Sequence, residues 1–143
     1  MTENGYSGTP LVRKLGIKSG HVLALLAPPE GFDDTLGPLP ADVSVHRAAD
    51  GKPPQDADPF DIVVAFTTTR AGLAGTVEAV RPLMPPACGL WIVWPKRASG
   101  VPTELTDNVI REVALPTGLV DNKVCAIDAT WSGLRLVIRR ELR

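Results

Sequence analysis

Thr67, Thr68, Thr69 and Arg70 set three hydroxyls beside a guanidinium, just ahead of a helical pattern. Hydroxyls, a helix dipole and a cation suit a carboxylate or a phosphate. Lys96, with Arg97 and Ser99, can approach that group from the following strand, and Thr106 and Asn108 open the helix after it. The competing account is that one Thr caps its helix while the cations stay solvated. Glu30, Asp33 and Asp34 form an acidic group that could hold a metal, a ribose or an amine. Their spacing lacks the alternating oxygen ligands and closing Glu of a calcium loop, and a solvated turn is the better account of them. Trp94, at a strand end before Pro95, can line a pocket mouth.

Other reactive side chains have no evident partner. Cys88 and Cys125 form no C-x-x-C pair, and with His21 and His46 as the only histidines a zinc site is not expected. Cys125 falls mid-strand between Val124 and Ala126, where a thiol is inert. His21 precedes the first strand and His46 sits in a short edge strand, without a Ser or Cys nearby in sequence. No catalytic residue and no metal site are therefore assigned. Trp91 is expected to pack under a helix, and Trp131 is expected in a turn, where an exposed Trp can anchor a partner, but a core or capping role is the first reading for Trp91, Trp94 and Trp131 alike. Arg135, Arg139, Arg140 and Arg143 make the end of the sequence basic, and Arg135 and Arg139 are read as a solvated face, with an acidic partner as the alternative.

These groups matter only if the chain brings them to one edge. Thr9 can cap a short helix with Pro10 first and Gly16 at its left-handed exit. Val22 to Ala27 is a buried strand, and Val43 to Arg47 is a shorter alternating one. Asp61 to Thr67 is apolar on both faces, as a central parallel strand should be. A helix over 70–84 follows, with Leu73, Val77 and Val80 as its buried stripe. Leu90 to Pro95 is a strand, 106–115 a helix, Lys123 to Asp128 a strand, 130–133 a turn, and Leu134 to Arg140 a closing strand. Loops 28–42 and 48–59 are irregular, the first with at most one turn at 34–36. Strand–helix alternation implies parallel pairing. The whole chain, 1–143, reads as one Rossmann-like α/β domain, a three-layer sandwich. Its sheet is mostly parallel, in the order 2-1-3-4-6-5, and ends in an antiparallel hairpin.

A nucleotide-binding domain of this kind usually follows its first strand with a glycine-rich phosphate loop. This chain has Pro28-Pro29-Glu30-Gly31-Phe32-Asp33-Asp34 instead. Two prolines remove two backbone donors, and three acids repel an anion. The chain has 143 residues, 44% hydrophobic and 22% charged, with a formal net charge of -1. That balance argues against a general nucleic-acid or membrane-surface binder. The start of the sequence has neither a basic region nor an apolar signal core, so a cytoplasmic protein is expected.

The layout resembles that of class I methyltransferases, notably in the Gly-Leu-Trp-Ile-Val-Trp strand (89–94) and the final hairpin. A glycine-rich first loop, a first crossover helix and one edge strand of that superfamily are missing. A second resemblance runs along nearly the whole chain. Its early carriers are Gly5-Tyr6-Ser7-Gly8-Thr9-Pro10-Leu11, Leu15-Gly16-Ile17, Pro29-Glu30-Gly31-Phe32 and Leu36-Gly37-Pro38-Leu39-Pro40. Later ones are Trp94-Pro95-Lys96, Ser99-Gly100-Val101-Pro102-Thr103, Leu105-Thr106, Asn108-Val109, Leu119-Val120-Asp121, Lys123-Val124 and Thr130-Trp131-Ser132-Gly133-Leu134. These strings resemble a family of short bacterial proteins, domain of unknown function 3052. The resemblance implies an actinobacterial-type cytoplasmic protein and carries over no catalytic residue.

The sequence thus points to a non-catalytic module without a cofactor, binding a small anion or a protein partner and able to form a homo-oligomer. Its weak ligand candidates are Thr67–Arg70, Trp94, Lys96, Ser99, Asn108 and Glu30. The alternative is a divergent S-adenosylmethionine-dependent methyltransferase, which needs an acid beyond the second strand to hold a ribose. Asp50 is the close candidate.

Overall fold

Three apolar runs without a polar face become the middle of the sheet because both of their faces are covered. They are β1 (Val22–Leu26), β3 (Ile62–Phe66) and β4 (Gly89–Pro95). The computed structural model describes residues 9–54 and 58–143. Residues 55–57 of the second loop, the Gly5–Gly8 part of the family-like string and the N-terminal stretch read for a signal lie outside the described residues. With β2 (Ser44–Ala48), β5 (Leu119–Ala126) and β6 (Trp131–Ile138), the strands form one sheet in the order β2-β1-β3-β4-β6-β5. The first four are parallel, and β6 runs antiparallel between β4 and β5.

Side chains alternate across each strand, so the sheet divides the core in two. On one face, Leu73, Val77 and Val80 of α3 (Arg70–Val80) and Ile110 and Ala114 of α4 (Asp107–Ala114) cover Val63, Leu90, Ile92 and Leu134. On the other, Val12 and Leu15 of α1 (Leu11–Leu15) and Phe32 and Leu36 of α2 (Phe32–Leu36) cover Leu23, Val64, Trp91 and Val93. Trp91 is fully buried there, and its Nε1–H donates to the Leu15 carbonyl at 3.0 Å, which ties α1 to the sheet. Among the described residues no helix is long and apolar enough to cross a membrane.

Several local expectations change. α1 begins at Leu11 with Pro10, not Thr9, at the cap position, while Gly16 takes the left-handed exit at φ 81°. Loop 28–42 holds α2, two residues longer at its start than the turn expected, because Phe32 and Leu36 are one helical turn apart and both buried. Trp131, Ser132 and Gly133 belong to β6 rather than to a turn. The turn lies just before them, where Asp128 Oδ1 accepts the N–H groups of Thr130 and Trp131, each at 2.8 Å. β5 starts at Leu119, pairing with Ile138, and a register shift between Asp121 and Lys123 accommodates its extra length. From β2 to β3 the chain packs across α3. A Cβ at Gly51 would collide with the Thr76 hydroxyl, and Pro53 and Phe60 are buried.

Candidate functional site

In a parallel α/β sheet, ligands gather beyond the carboxyl ends of the strands. The segment after β3 is a continuation of the sheet, since the Thr67 N–H donates to the Val93 carbonyl at 3.0 Å. Thr69 then caps α3, its hydroxyl accepting the Gly72 N–H at 3.0 Å. The Arg70 N–H, still unpaired within the helix, donates to Glu104 Oε1 at 2.8 Å. Glu104 is pinned there by two bonds to the Thr68 carbonyl, from its own N–H at 2.8 Å and from the Thr103 hydroxyl at 3.0 Å. The Arg70 guanidinium pairs with Glu112 at 3.2 Å. The positive end of α3 therefore already has its anion, supplied by the chain. A small anion at the Thr67–Arg70 seat would compete with this carboxylate.

Ser99 is also structural. Its hydroxyl donates to the Lys96 carbonyl at 2.7 Å and accepts the Val101 N–H at 3.2 Å, closing a tight turn. Thr106 caps α4 by accepting the Val109 N–H at 3.2 Å. Asn108 is drawn into a cluster around Arg111, whose guanidinium reaches Asn108 Oδ1 at 3.2 Å, Asp107 at 3.3 Å and Asp121 at 3.1 Å. The Asp121 contact is the main cause that holds the Arg111 pKa above its ordinary value.

Of the candidates, Trp94, Lys96, Arg97 and Thr106 do share a cavity. An open cleft of about 440 Å³ lies beyond β4 against the start of α4, lined by Trp94, Lys96, Arg97, Thr103, Asp107 and Ser132. Thr103, Asp107 and Ser132 were not legible as site residues, and neither was Glu104. Thirty-four positions separate Glu104 from Arg70, and no spacing rule links them.

Beyond β1, the chain turns sharply at Ala27, a non-glycine residue held at φ 52°. The Ala27 N–H donates to Ala48 and the Phe32 N–H to Pro29. Asp33 pairs with Arg47 of β2 at 2.8 Å, while Glu30 is exposed. Beyond β2, Asp50 Oδ1 accepts the Lys52 N–H at 3.0 Å. Among the described residues no group of three or more His, Cys, Asp or Glu is placed to hold a metal ion.

Elsewhere, Trp131 is half-buried and packs edge-on against Phe66 at 5.2 Å, the core role read for it from the sequence rather than that of an exposed anchor. Burial, with a smaller push from Asp61, lifts the Cys88 thiol to about 12, and burial also raises Cys125. Arg135 is half-buried, not solvated as expected, and burial lowers its pKa.

No protein-family model matches the chain, and no curated protein matches it in sequence. Solved structures match its fold. An S-adenosylmethionine-dependent methyltransferase from Aquifex aeolicus is similar with a TM-score of 0.64 at 15% identity, over 90% of this chain and 87% of that one. The N-methyltransferase NodS from Bradyrhizobium japonicum is similar at 0.59 and 14% identity, over 91% and 93%. LepI, solved with S-adenosylhomocysteine and a substrate analogue, is similar at 0.61 and 13% identity, over 97% of this chain and 49% of its own. At these identities the likeness establishes a methyltransferase-like Rossmann fold. It also corrects the expectation of a non-catalytic, cofactor-free module, because proteins sharing this fold include ones named as methyltransferases, one of them S-adenosylmethionine-dependent, and LepI, solved with S-adenosylmethionine and with S-adenosylhomocysteine.

Proposed function

We propose that this chain is a divergent S-adenosylmethionine-dependent methyltransferase. The observation that carries the proposal is the sheet: four parallel strands followed by β6 inserted antiparallel between β4 and β5. The neighbours of that fold support the reading. The Pro-Pro loop does not oppose it. S-adenosylmethionine presents a sulfonium, an ammonium, one carboxylate and a ribose diol, and it carries no phosphate. The donors removed at Pro28 and Pro29 are those a phosphate needs, and acids that repel an anion attract this cation.

The residues present fit the group. β1 and β2 are parallel neighbours that end level, Leu26 against Ala48, so Glu30 and Asp50 leave the sheet from adjacent strand ends. Asp50 would receive the ribose hydroxyls, its Oδ2 being left over from the bond that Oδ1 makes to Lys52. Glu30 would meet the ammonium group. When bound, the cofactor supplies an electrophilic methyl group. The cleft beyond β4 would take the acceptor, with Asp107 and Lys96 offering opposite charges to orient it and Trp94 forming its wall. The finer resemblance to domain of unknown function 3052 belongs to the same proposal and rests on its sequence strings.

Isothermal titration of the full chain with S-adenosylhomocysteine tests the reading. Saturable binding is expected, weakened roughly tenfold or more by Asp50→Ala, which removes a charged hydrogen-bond partner. A folded chain that takes up neither S-adenosylmethionine nor S-adenosylhomocysteine would overturn it.

A further inference from the structure

The opposite end of the sheet has different chemistry. At the amino ends of the strands a cleft of about 420 Å³ opens between α1, the start of β3 and the β5–β6 hairpin. Lys18, Lys123 and Arg135 line it together with His21, and among the described lining residues Asp61 is the one carboxylate. In a chain of net charge -1 this is a marked local excess of cations. We propose that this cleft binds a phosphate-bearing small molecule, with the Arg135 guanidinium as its central contact.

The case rests on how Arg135 is held. It lies on β6 opposite Lys123 of β5 and Trp91 of β4. Its guanidinium lies flat on the backbone at Gly89. A Cβ there would fall 2.5 Å from Nε and 2.7 Å from Nη2, so glycine is what admits the side chain. Arg47, Arg70, Arg111 and Arg139 each pair with a carboxylate. Arg135 makes no ion pair among the described residues and has only a long contact of 3.5 Å to Asn122 Oδ1. A half-buried guanidinium without a counter-ion is costly for the fold, and a bidentate oxyanion would relieve that cost.

The surrounding groups agree. Asp61 Oδ2 is engaged by the Val22 N–H at 2.8 Å, which fixes the carboxylate against β1. Lys123 Nζ donates to the Lys14 carbonyl at 2.7 Å, so its charge is held at the rim rather than swinging in solvent. His21 Nδ1 accepts the Lys18 N–H at 3.1 Å, which leaves Nε2 to carry the proton as a donor. The volume is that of a small-molecule site.

The test is a titration of the isotope-labelled full chain with pyrophosphate, followed by amide NMR. Saturable shifts are expected at Gly16, Lys18, His21, Gly89, Asn122, Lys123 and Arg135. Two variants, Arg135→Gln and the exposed pair Lys18→Gln with Lys123→Gln, should each weaken binding roughly tenfold or more. The double variant guards against misfolding at the half-buried site. A short single-stranded RNA that binds here while pyrophosphate does not would overturn the proposal, as would shifts that never saturate or survive both variants. The site is independent of the methyltransferase reading. A chain that binds pyrophosphate but not S-adenosylhomocysteine would keep the one and lose the other.

Discussion

Removing Glu104 should expose the positive end of α3 and cost stability that an added anion can restore. Its carboxylate accepts the Arg70 N–H at 2.8 Å and lies at the helix N-terminus, where negative charge is favoured. An exposed carboxylate at that position is worth about 0.3–1 kcal/mol, and losing the partner of the amide adds a fraction of a further kcal/mol. Glu104→Ala should therefore destabilise by about 1 kcal/mol, or a drop of roughly 3–5 °C in Tm for a chain of this size. Glu104→Gln keeps an acceptor without the charge and should fall near half of that. The assay is urea and thermal unfolding of the three proteins at low ionic strength, with and without sulfate. Sulfate should recover a larger part of the loss in Glu104→Ala than it adds to the wild type, because only the variant offers it the vacated N–H. Equal stability of all three proteins, or an identical sulfate response, would refute the claim that the chain supplies its own anion at α3.

Trp91→Phe should destabilise by about 2–3 kcal/mol, since it opens a void in a fully buried position and leaves the Leu15 carbonyl without its donor. Hydrogen exchange should show α1 loosening before the sheet does. Cys88, its thiol pushed by burial from the ordinary 9.0 to about 12, keeps its proton in the native state where the unfolded chain loses it. Stability should therefore fall as pH rises above about 9, by up to about 1.4 kcal/mol per pH unit from this group. Denaturant melts at pH 8 to 10 should show that slope reduced in Cys88→Ala.

The strand order was legible because the signals that set it are local and redundant. β3 and β4 are apolar on both faces, α3 and α4 each begin at a threonine cap, and the short link from Ala126 to Trp131 leaves β5 and β6 little choice but to pair. α2 was harder to see. Its five residues carry one turn of pattern inside a run of Pro, Gly and Asp. The site was legible only as a region. Sequence spacing finds a cap such as Thr69, but it cannot find the carboxylate that arrives from position 104 to take the next amide. Arg135 failed for the same reason. Alternation along β6 puts it on the face away from Leu134 and Leu136, and only the absence of a side chain at Gly89 on the neighbouring strand turns that face into a resting place.

The two ends of the sheet are opposite in charge, and this bears on which ligand each can take. Around the ends of β1 and β2, the described residues include Glu30, Asp33, Asp34 and Asp50 with Arg47 and Lys52, four carboxylates to two cations. Around the amino ends, Lys18, Lys123 and Arg135 share a cleft in which Asp61 is the one carboxylate among the described lining residues. A sulfonium-bearing cofactor is favoured at the first end and repelled from the second, while a phosphate-bearing ligand has the reverse preference. The prolines at 28 and 29 extend the argument. Had they been a glycine-rich loop, the acidic end would also have offered backbone donors to an anion, and the two ends would compete for one ligand class. Their absence of N–H groups leaves charge as the discriminator. Raising ionic strength should thus weaken pyrophosphate binding steeply, while binding of S-adenosylhomocysteine, which lacks the sulfonium and is held by a diol and an ammonium, should change far less.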